Sequence, residues 1–428
     1  MNPKSAMPEL PIAQSSRQID SGNGGASSGG SGNNTGNGFE RASLEQSVRD
    51  RYAQGAAKVE AGLCCAAETY DPKLLELLPK ELVEKDYGCG DPARYARPGD
   101  VVIDLGSGSG KACYMLAQRV GGEGRVIGLD FNDAMLNLAR KYQAEMAEKL
   151  GYANVEFRKA RIQDMALDLD VAARWLEENP VANVEQMDAY LAECERLRTQ
   201  SPLVASGSVD LIVSSCVLNL VKPEEKAQLF AEMHRVLRRG GRAVISDIVC
   251  DEEPTPEMIK DPHLWTGCIS GAFLEHRFLE MFEEAGFYGV EVMSRQSEPW
   301  QTVNGIEFRS MTVRAFKGKE GPCLERNQGV VYRGPWKQVR DDDGHTYFRG
   351  QRMAVCDKTY QLLTSQEGPY AGQVIGVEPR ETVQLEDATA FDCSRAVVRD
   401  PRETKGVNYR DTQTSGDSAC CEPGSDCC

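Results

Sequence analysis

The amino-acid sequence predicts an α/β fold, with a doubly wound, mostly parallel seven-stranded sheet followed by a small β-rich C-terminal module. Three observations lead to this prediction. Short apolar runs alternate with helical stretches, a glycine-rich loop directly follows the first run, and short runs broken by Gly and Pro follow Lys317. Strands that alternate with helices at this spacing are typical of a parallel sheet covered by helices.

The apolar runs are the expected strands of the sheet. In chain order they are VVIDLG from Val101, RVIGLD from Arg125, VEFRKA from Val155, VDLIVSS from Val209 and RAVISDI from Arg242, followed by GVEVMSRQ and FRSMTVRAFK. Helical periodicity predicts helices between them at 111–120, 134–150 and 224–237. A helical insert rich in Glu and Arg is expected near 169–199, and a surface location is the preferred interpretation.

These patterns divide the chain into five segments. They are a disordered Gly/Ser/Asn-rich N-terminus (1–40), a helical cap with three cysteines (41–97), the sheet domain (98–317), a small C-terminal domain (318–400) and a disordered Cys-rich tail (401–428).

Composition excludes several classes of protein. The 428 residues carry a formal net charge of −16, which argues against nucleic-acid binding because such binding needs a basic surface. No apolar run reaches the roughly 18 residues of a membrane span, and the N-terminus lacks the apolar core of a signal peptide. We therefore expect a cytoplasmic protein that does not contact membranes, in which most of the fifteen cysteines are reduced thiols. We also expect a monomer.

A glycine-rich loop, GSGSG, follows the first expected strand. Gly106, Gly108 and Gly110 lie at the start of a helix, where glycines let the backbone turn sharply and approach a ligand closely. The spacing differs from the G-x-G-x-x-G of dinucleotide sites, and Ala112 after Lys111 argues against a phosphate-binding Walker loop. The loop indicates a nucleotide-like cofactor, with a Rossmann-like NAD enzyme as the alternative.

Acidic and polar residues follow the second and third strands. Asp130 ends the second strand, where a carboxylate suits the hydroxyl groups of a ribose. Ile162 and Gln163 follow the third strand and are expected to flank an adenine, with Asp164 accepting from its amino group. Further cofactor contacts are predicted at Asp104, Phe131, Met135 and Ser215.

Three cysteines flanked by small residues occur where loops border the ligand crevice. Cys89 lies between Gly88 and Gly90, Cys216 ends the fourth strand, and Cys268 follows the fifth. Each cysteine alone is most simply a packed apolar side chain, but together they predict a thiophilic substrate, since soft thiolates select soft centres. Zinc is the usual ligand of such clusters, yet the C-x2-C pairs of structural zinc sites are missing here. We therefore expect no structural metal.

The motifs resemble those of two nested families. The glycine loop and its acidic residues resemble the class I S-adenosylmethionine-dependent methyltransferases, which have a Rossmann-like sheet, over about residues 98–317. The motifs DLGSGSGK, YGCG, SSCVLNLV, HRVLRRGG and LWTGCISGA, within about residues 60–300, resemble the arsenite methyltransferases. This resemblance implies S-adenosylmethionine as cofactor, and the methylation of arsenite and methylarsenite for arsenic detoxification.

The resemblance also implies roles for individual cysteines. Cys89, Cys216 and Cys268 would hold trivalent arsenic as the substrate. Either Cys64 or Cys65 would exchange disulfides with Cys89, with thioredoxin or glutathione as the thiol reductant. The insert near 169–199 and the diverged flank of Cys268 depart from the family pattern.

Other residues near the thiols have two interpretations each. Tyr87 and Asn219 are candidates to shape the path of the methyl group, with packing as the alternative. The tail carries vicinal thiols that either capture arsenic as auxiliary ligands or have no role: Cys420, Cys421, Cys427 and Cys428.

Two other functions are alternatives to arsenic methylation. A carbon or oxygen methyltransferase for a small organic molecule would need an apolar acceptor pocket and usually a base, and it leaves the cysteines unexplained. A thiol-rich, metalloid-sequestering protein would not need the intact cofactor loop. Arsenic presents a lone pair and no proton, so its methylation needs no base, in agreement with only four histidines in the chain.

Overall fold

The computed structural model describes residues 36–60 and 70–406. Cys64, Cys65 and the four tail cysteines lie outside the described residues, as does most of the predicted N-terminal segment. Backbone contacts divide the chain into two units, Met1–Ala42 and Ser43–Cys428. The sheet, the cofactor loop and the C-terminal strands all belong to the second unit.

The α-helices of the described chain follow the predicted pattern in the sheet domain. They are α1 Gly36–Ala57, α2 Pro72–Glu76, α3 Lys80–Glu84, α4 Lys111–Val120, α5 Asp133–Lys141, α6 Gln143–Leu150, α7 Leu169–Glu178, α8 Val184–Gln200, α9 Pro223–Val236, α10 Pro256–Ile259, α11 Pro262–Thr266, α12 Glu275–Glu284, α13 Asp357–Thr364 and α14 Pro401–Lys405.

The strands fall into one large sheet and three small ones. They are β1 Val101–Leu105, β2 Arg125–Asp130, β3 Val155–Lys159, β4 Val209–Ser215, β5 Leu237–Cys250, β6 Phe273–Leu274, β7 Tyr288–Arg295, β8 Gln301–Val303, β9 Ile306–Phe316, β10 Leu324–Glu325, β11 Gly329–Tyr332, β12 Gln338–Arg340, β13 Thr346–Phe348, β14 Arg352–Ala354, β15 Val374–Val377 and β16 Thr389–Ala390.

The large sheet confirms the predicted fold class. Its main path runs β3-β2-β1-β4-β5-β9-β7, with β6 beside β5 and β8 beside β9, which makes nine strands. The strands from β3 to β5 are parallel, whereas β9 runs antiparallel to both β5 and β7. The seven predicted strands form the main path, and the two additional strands, β6 and β8, are only two and three residues long.

Several helix boundaries differ from the sequence prediction. The helix expected at 134–150 is two helices, because the backbone of Tyr142, with φ −101° and ψ 3°, leaves the helical conformation between α5 and α6. α1 begins inside the N-terminal segment that was predicted to be disordered, and α14 occupies the start of the predicted disordered tail. α9 begins with Pro223 in its first turn, where proline costs no hydrogen bond.

The insert contains two helices, α7 and α8, and it is more than a solvated surface. Leu167, Ala172, Cys194 and Leu197 form a small buried cluster between them. Apolar contact therefore holds the helix pair together, while residues such as Val184 remain exposed.

The C-terminal strands confirm the predicted β-rich module. They form a three-stranded sheet, β14-β11-β15, and two strand pairs, β10-β16 and β12-β13. Val330, Tyr332, Tyr347, Met353 and Tyr360 are among the buried residues of this part of the chain. In the described residues, no helix combines the length and the apolar character that crossing a membrane requires.

Candidate active site

The loop after β1 has a backbone that only glycine adopts easily. Gly106, Gly108 and Gly110 have φ angles of 70°, 52° and 85°, in the left-handed region that disfavours side chains. A Cβ on Gly106 would lie 2.6 Å from Val217, and one on Gly110 would lie 2.7 Å from the Phe157 ring. The loop therefore places bare backbone at the N-terminus of α4, as the sequence predicts for a cofactor loop.

Asp130 joins this loop to the end of β2. Its carboxylate accepts hydrogen bonds from the backbone N–H groups of Gly108, at 2.9 Å, and Asn132, at 2.8 Å. Burial raises the pKa of Asp130 despite these two bonds. Because each carboxylate oxygen accepts two hydrogen bonds, Asp130 retains acceptor capacity for a ribose.

Asp104 lies beneath the loop, near the end of β1. The Cys113 Sγ donates to its carboxylate at 3.3 Å. Burial raises the pKa of Asp104 to about 7, with the neighbouring Asp86 and Asp130 carboxylates raising it further. Burial also raises the pKa of Cys113, so this cysteine is an unreactive thiol.

Buried polar atoms without a hydrogen-bond partner in the described chain surround the predicted site. They are the hydroxyl oxygens of Ser107, Ser215 and Ser270 and the Asn219 Oδ1. Since a buried polar atom without a partner costs about 1–3 kcal/mol, such atoms indicate places where a ligand or water binds. Ser107 and Ser215 lie at the carboxyl ends of β1 and β4 and therefore fit a polar cofactor. Ser215 was predicted, whereas Ser107 was missed although it lies inside the GSGSG motif.

The remaining predicted cofactor residues have mixed environments. Met135 and Ile162 are buried in the apolar core, and the Arg49 guanidinium lies 5.5 Å from the centre of the Phe131 ring. The Gln163 side-chain amide donates to Glu225 at 2.6 Å. None of these contacts tests whether the four residues bind the cofactor, so that role stays a prediction.

Asp164 has a partner that the sequence did not indicate. Its carboxylate accepts from Arg198, on the insert helix α8, at 3.0 Å. Arg198 contacts only one of the two carboxylate oxygens, so the adenine contact expected of Asp164 stays a prediction. The insert therefore contacts the loop that follows β3.

The three predicted cysteines meet in one buried cluster. Cys89, Cys216 and Cys268 belong to the same apolar cluster, with exposed fractions of 2%, 4% and 5%. A disulfide joins Cys89 to Cys216, whose Cα atoms are 5.8 Å apart. The Cys268 Sγ donates to the Cys216 carbonyl at 3.2 Å. Cys89 and Cys216 are therefore exceptions to the expectation that most cysteines are reduced, whereas Cys268 is a free thiol.

Two of these cysteines have a strained backbone. Cys216 and Cys268 have φ angles of 57° and 62°. Asn304 and Asn327 are the other non-glycine residues with positive φ in the described chain, and asparagine tolerates this conformation better than cysteine. Such strain costs about 1–3 kcal/mol and clusters at functional sites. The two positions are therefore candidates for a functional role.

Neighbouring loops hold the cysteines in place. Gly90 has a φ of 83°, and a Cβ there would meet Ser246 at 2.9 Å, so the segment around Cys89 lies directly against β5. Asn219 is fully buried, and its side-chain nitrogen donates to the carbonyls of Ile248 and Cys268 at 2.7 and 3.2 Å. Asn219 therefore positions the Cys268 loop, which favours the packing interpretation of this residue.

Tyr87 has a comparable structural role. Its hydroxyl donates to the Gly55 carbonyl at 3.0 Å and accepts from the Glu60 N–H at 3.1 Å. Its ring packs edge-on against Tyr52, with ring centres 6.2 Å apart. These contacts fix the end of α1 over the segment that carries Cys89.

Lys226 is a charged residue near the thiols that the sequence analysis missed. Its ammonium group donates to the Gly271 carbonyl at 2.6 Å and lies 3.7 Å from the centre of the Phe273 ring. Burial lowers the pKa of Lys226 to about 8. Lys226 shares the buried face of α9 with Leu229, Phe230 and Met233. The sequence could have revealed it, because a lysine there interrupts the apolar face of a predicted helix.

Comparisons with known proteins identify similar families and one similar solved structure. Residues 96–201 and 198–286 match a family described as a methyltransferase domain, and residues 319–409 match a domain of unknown function (DUF8838). The crystal structure of an arsenic(III) S-adenosylmethionine methyltransferase from Chlamydomonas reinhardtii aligns with a TM-score of 0.48 and 24% sequence identity, over 77% of this chain and 97% of that one.

Two curated relatives cover most of the chain. The arsenite methyltransferase of Homo sapiens is 27% identical over 340 residues, which are 75% of this chain and 81% of the human one. The arsenite methyltransferase of Aquipseudomonas alcaligenes is 30% identical over 338 residues, which are 75% of this chain and 87% of the relative. With a methyltransferase domain and similarity along nearly the whole relative, this chain belongs to the S-adenosylmethionine-dependent arsenite methyltransferase family.

Proposed function

We propose that this chain methylates trivalent arsenic while Cys89, Cys216 and Cys268 hold it, with the methyl group drawn from S-adenosylmethionine at the loop after β1. The observation that carries the proposal is the meeting of three cysteines, distant in the sequence, in one buried cluster. A methyltransferase for carbon or oxygen acceptors would have no use for these thiols. Two of them, Cys216 and Cys268, also have backbone φ angles in the strained left-handed region.

The thiols would capture arsenic by ligand exchange. Arsenite carries three hydroxyl ligands, and each As–O bond is replaced by an As–S bond as one thiol proton leaves in a water molecule. An unperturbed thiol has a pKa of about 8.5, so proton loss accompanies binding rather than preceding it. Soft thiolates favour a soft centre, which drives the exchange.

The residues of the cofactor loop would hold the methyl donor against the arsenic. When bound, S-adenosylmethionine supplies an electrophilic methyl carbon, with S-adenosylhomocysteine as the leaving group. Arsenic held by three thiolates would keep its lone pair on the side away from the sulfurs and would have no proton to lose on accepting the methyl group. Orientation by Gly106, Gly108, Asp130 and Ser215 would then supply much of the acceleration, for which about 7–11 kcal/mol is available in well-aligned pairs.

The disulfide between Cys89 and Cys216 supports a redox step in this cycle. The new As–C bond uses both electrons of the lone pair, which raises the arsenic formally from +3 to +5. Two thiolate ligands that join as a disulfide return two electrons and restore trivalent arsenic. The Cys89–Cys216 disulfide joins two of the three proposed arsenic ligands, as this step would require.

A thiol reductant would then reopen the site. Thioredoxin or glutathione is the expected donor, since thiol–disulfide exchange depends on the redox poise of the compartment, and the cytoplasm maintains such donors. Cys64 or Cys65, outside the described residues, is the proposed relay thiol. All the proposed ligands come from one chain, so we propose a monomer.

Single cysteine substitutions test the proposal. Purified Cys216→Ser and Cys268→Ser variants are incubated with arsenite, a thiol reductant and labelled S-adenosylmethionine, and methylated arsenicals are counted. Both variants should lose methylation and still bind S-adenosylmethionine. Cys194→Ser is the matched control, because Cys194 is equally buried but lies in the insert. Wild-type turnover in Cys216→Ser or Cys268→Ser would contradict the thiolate site, and stoichiometric arsenic binding without any methylation by the parent would favour sequestration.

A further inference from the structure

A second group of cysteines meets in the C-terminal strands. The sulfur atoms of Cys323, Cys356 and Cys393 all lie within 4.8 Å of one another. The three residues come from separate parts of the chain. Cys323 precedes β10, Cys393 follows β16, and Cys356 caps the N-terminus of α13.

The fold brings these thiols together by backbone pairing. β10 and β16 pair antiparallel, and the Phe391 N–H donates to the Cys323 carbonyl at 2.9 Å. These contacts place the segments of Cys323 and Cys393 side by side. Cys356 reaches the same point from the N-terminus of α13, where its Sγ accepts from the Thr359 N–H at 3.4 Å.

The surroundings favour thiolates. Cys356 lies at a helix N-terminus, where the backbone dipoles stabilise negative charge. The Lys358 ammonium also lies near Cys323 and adds positive charge beside the sulfurs.

A small cavity adjoins two of the sulfurs. Cys356 and Cys393 line it together with His345, Tyr347 and Thr359. The His345 Nδ1 lies 2.8 Å from the Asp341 carboxylate, an arrangement that often fixes the ring of a metal-binding histidine. His345 is not a member of the three-sulfur cluster, but it borders the space where a fourth ligand or water would lie.

We propose that Cys323, Cys356 and Cys393 bind one thiophilic ion through three thiolates. Three sulfurs complete the coordination of As(III), whereas Zn²⁺ takes a fourth ligand, supplied by water or by His345. Each bound ion displaces the thiol protons and cross-links β10, β16 and α13. The site is distinct from the Cys89–Cys216–Cys268 cluster and does not depend on its proposed role. It departs from the expectation of no structural metal, which rested on the lack of C-x2-C pairs.

Metal analysis of the full chain tests this site. The parent for this experiment carries Cys216→Ser and Cys268→Ser, so that arsenic bound at the proposed active site does not obscure the count. Zinc content is measured after purification without chelators, and the reduced, metal-free protein is then titrated separately with Zn²⁺ and with arsenite. We expect Cys393→Ser and Cys323→Ser, each added to this parent, to lose one equivalent of the ion that the parent binds. Adding Cys194→Ser instead should lose none.

Thermal melting keeps the test valid if a substitution weakens the fold. The ion should raise the Tm of the parent and of its Cys194→Ser derivative, but not that of the Cys323→Ser derivative, whose substituted residue is only partly buried. Binding of zinc identifies a zinc site, and binding of arsenite alone identifies a second arsenic site. Equal ion content in parent and variants, or a disulfide between two of the three thiols in protein kept reduced, would overturn the proposal.

Discussion

Replacing Gly106 by alanine probes the link between the cofactor loop and the thiol cluster. Gly106 has a φ of 70°, and a Cβ there would lie 2.6 Å from both methyl groups of Val217, the residue that follows Cys216. A side chain in the left-handed region costs about 1–2 kcal/mol, and overpacking adds about 1–3 kcal/mol. Relief of the clash must move the loop or Val217. If about 2 kcal/mol of this cost destabilises the cofactor-bound state relative to the free protein, the affinity for S-adenosylmethionine drops roughly 30-fold.

Calorimetric titration of Gly106→Ala with S-adenosylmethionine measures this loss directly. Gly99→Ala is the matched control, because Gly99 has a φ of 82° and nothing lies within 4 Å of its added Cβ. Both variants place an alanine at a positive φ angle and should show a lower Tm, but only Gly106→Ala should bind the cofactor weakly. Equal dissociation constants in the two variants would refute the reasoning that this loop holds the cofactor against the cysteine segment.

Further predictions concern the thiols, their supports and the pH dependence of stability. Cys89→Ser should reduce turnover of arsenite at least tenfold more than turnover of methylarsenite, because a methyl group already replaces one sulfur ligand; equal losses in the two kinetic assays would count against three-sulfur binding. Asn219→Ala removes a hydrogen-bond donor from two buried carbonyls, which costs about 1–3 kcal/mol. We expect the arsenite KM to rise and the cofactor affinity to stay constant, and an unchanged KM would show that Asn219 does not position the Cys268 loop. The pKa of Asp104 is raised from 3.8 to about 7, so the folded state keeps a proton that the unfolded chain releases, and stability falls as pH rises through that window. Asp104→Asn cannot ionise, and its Tm relative to the parent should therefore increase from pH 5 to pH 8; a constant difference would contradict the shift. Deleting residues 419–428 should raise the arsenite KM if the tail thiols hand over arsenic, whereas an unchanged constant would show that they do not.

Local patterns predicted the features that depend on neighbouring residues. The seven strands of the main sheet path, the glycine loop and the position of Asp130 at the end of β2 follow from periodicity and from turn chemistry. Convergence of Cys216 and Cys268 was predictable because both follow strands whose carboxyl ends share one edge of the sheet.

Features that depend on distant pairing were not predictable from those patterns. The ion pair between Asp164 and Arg198 requires knowing how the insert packs. The meeting of Cys323 with Cys393 depends on a short strand pair with little periodicity. The oxidation state of Cys89 and Cys216 depends on approach geometry that sequence spacing does not reveal.

X-ray absorption at the arsenic edge tests the central claim most directly. The sample is the reduced chain carrying Cys64→Ser, Cys65→Ser, Cys323→Ser and Cys393→Ser and ending at residue 406, so that the relay pair, the C-terminal cluster and the tail thiols do not contribute, loaded with one arsenite per chain. We expect three sulfur neighbours around arsenic, and two sulfurs with one oxygen once Cys268→Ser is added. A coordination shell that retains oxygen in the first sample, or that is unaffected by Cys268→Ser, would contradict the account.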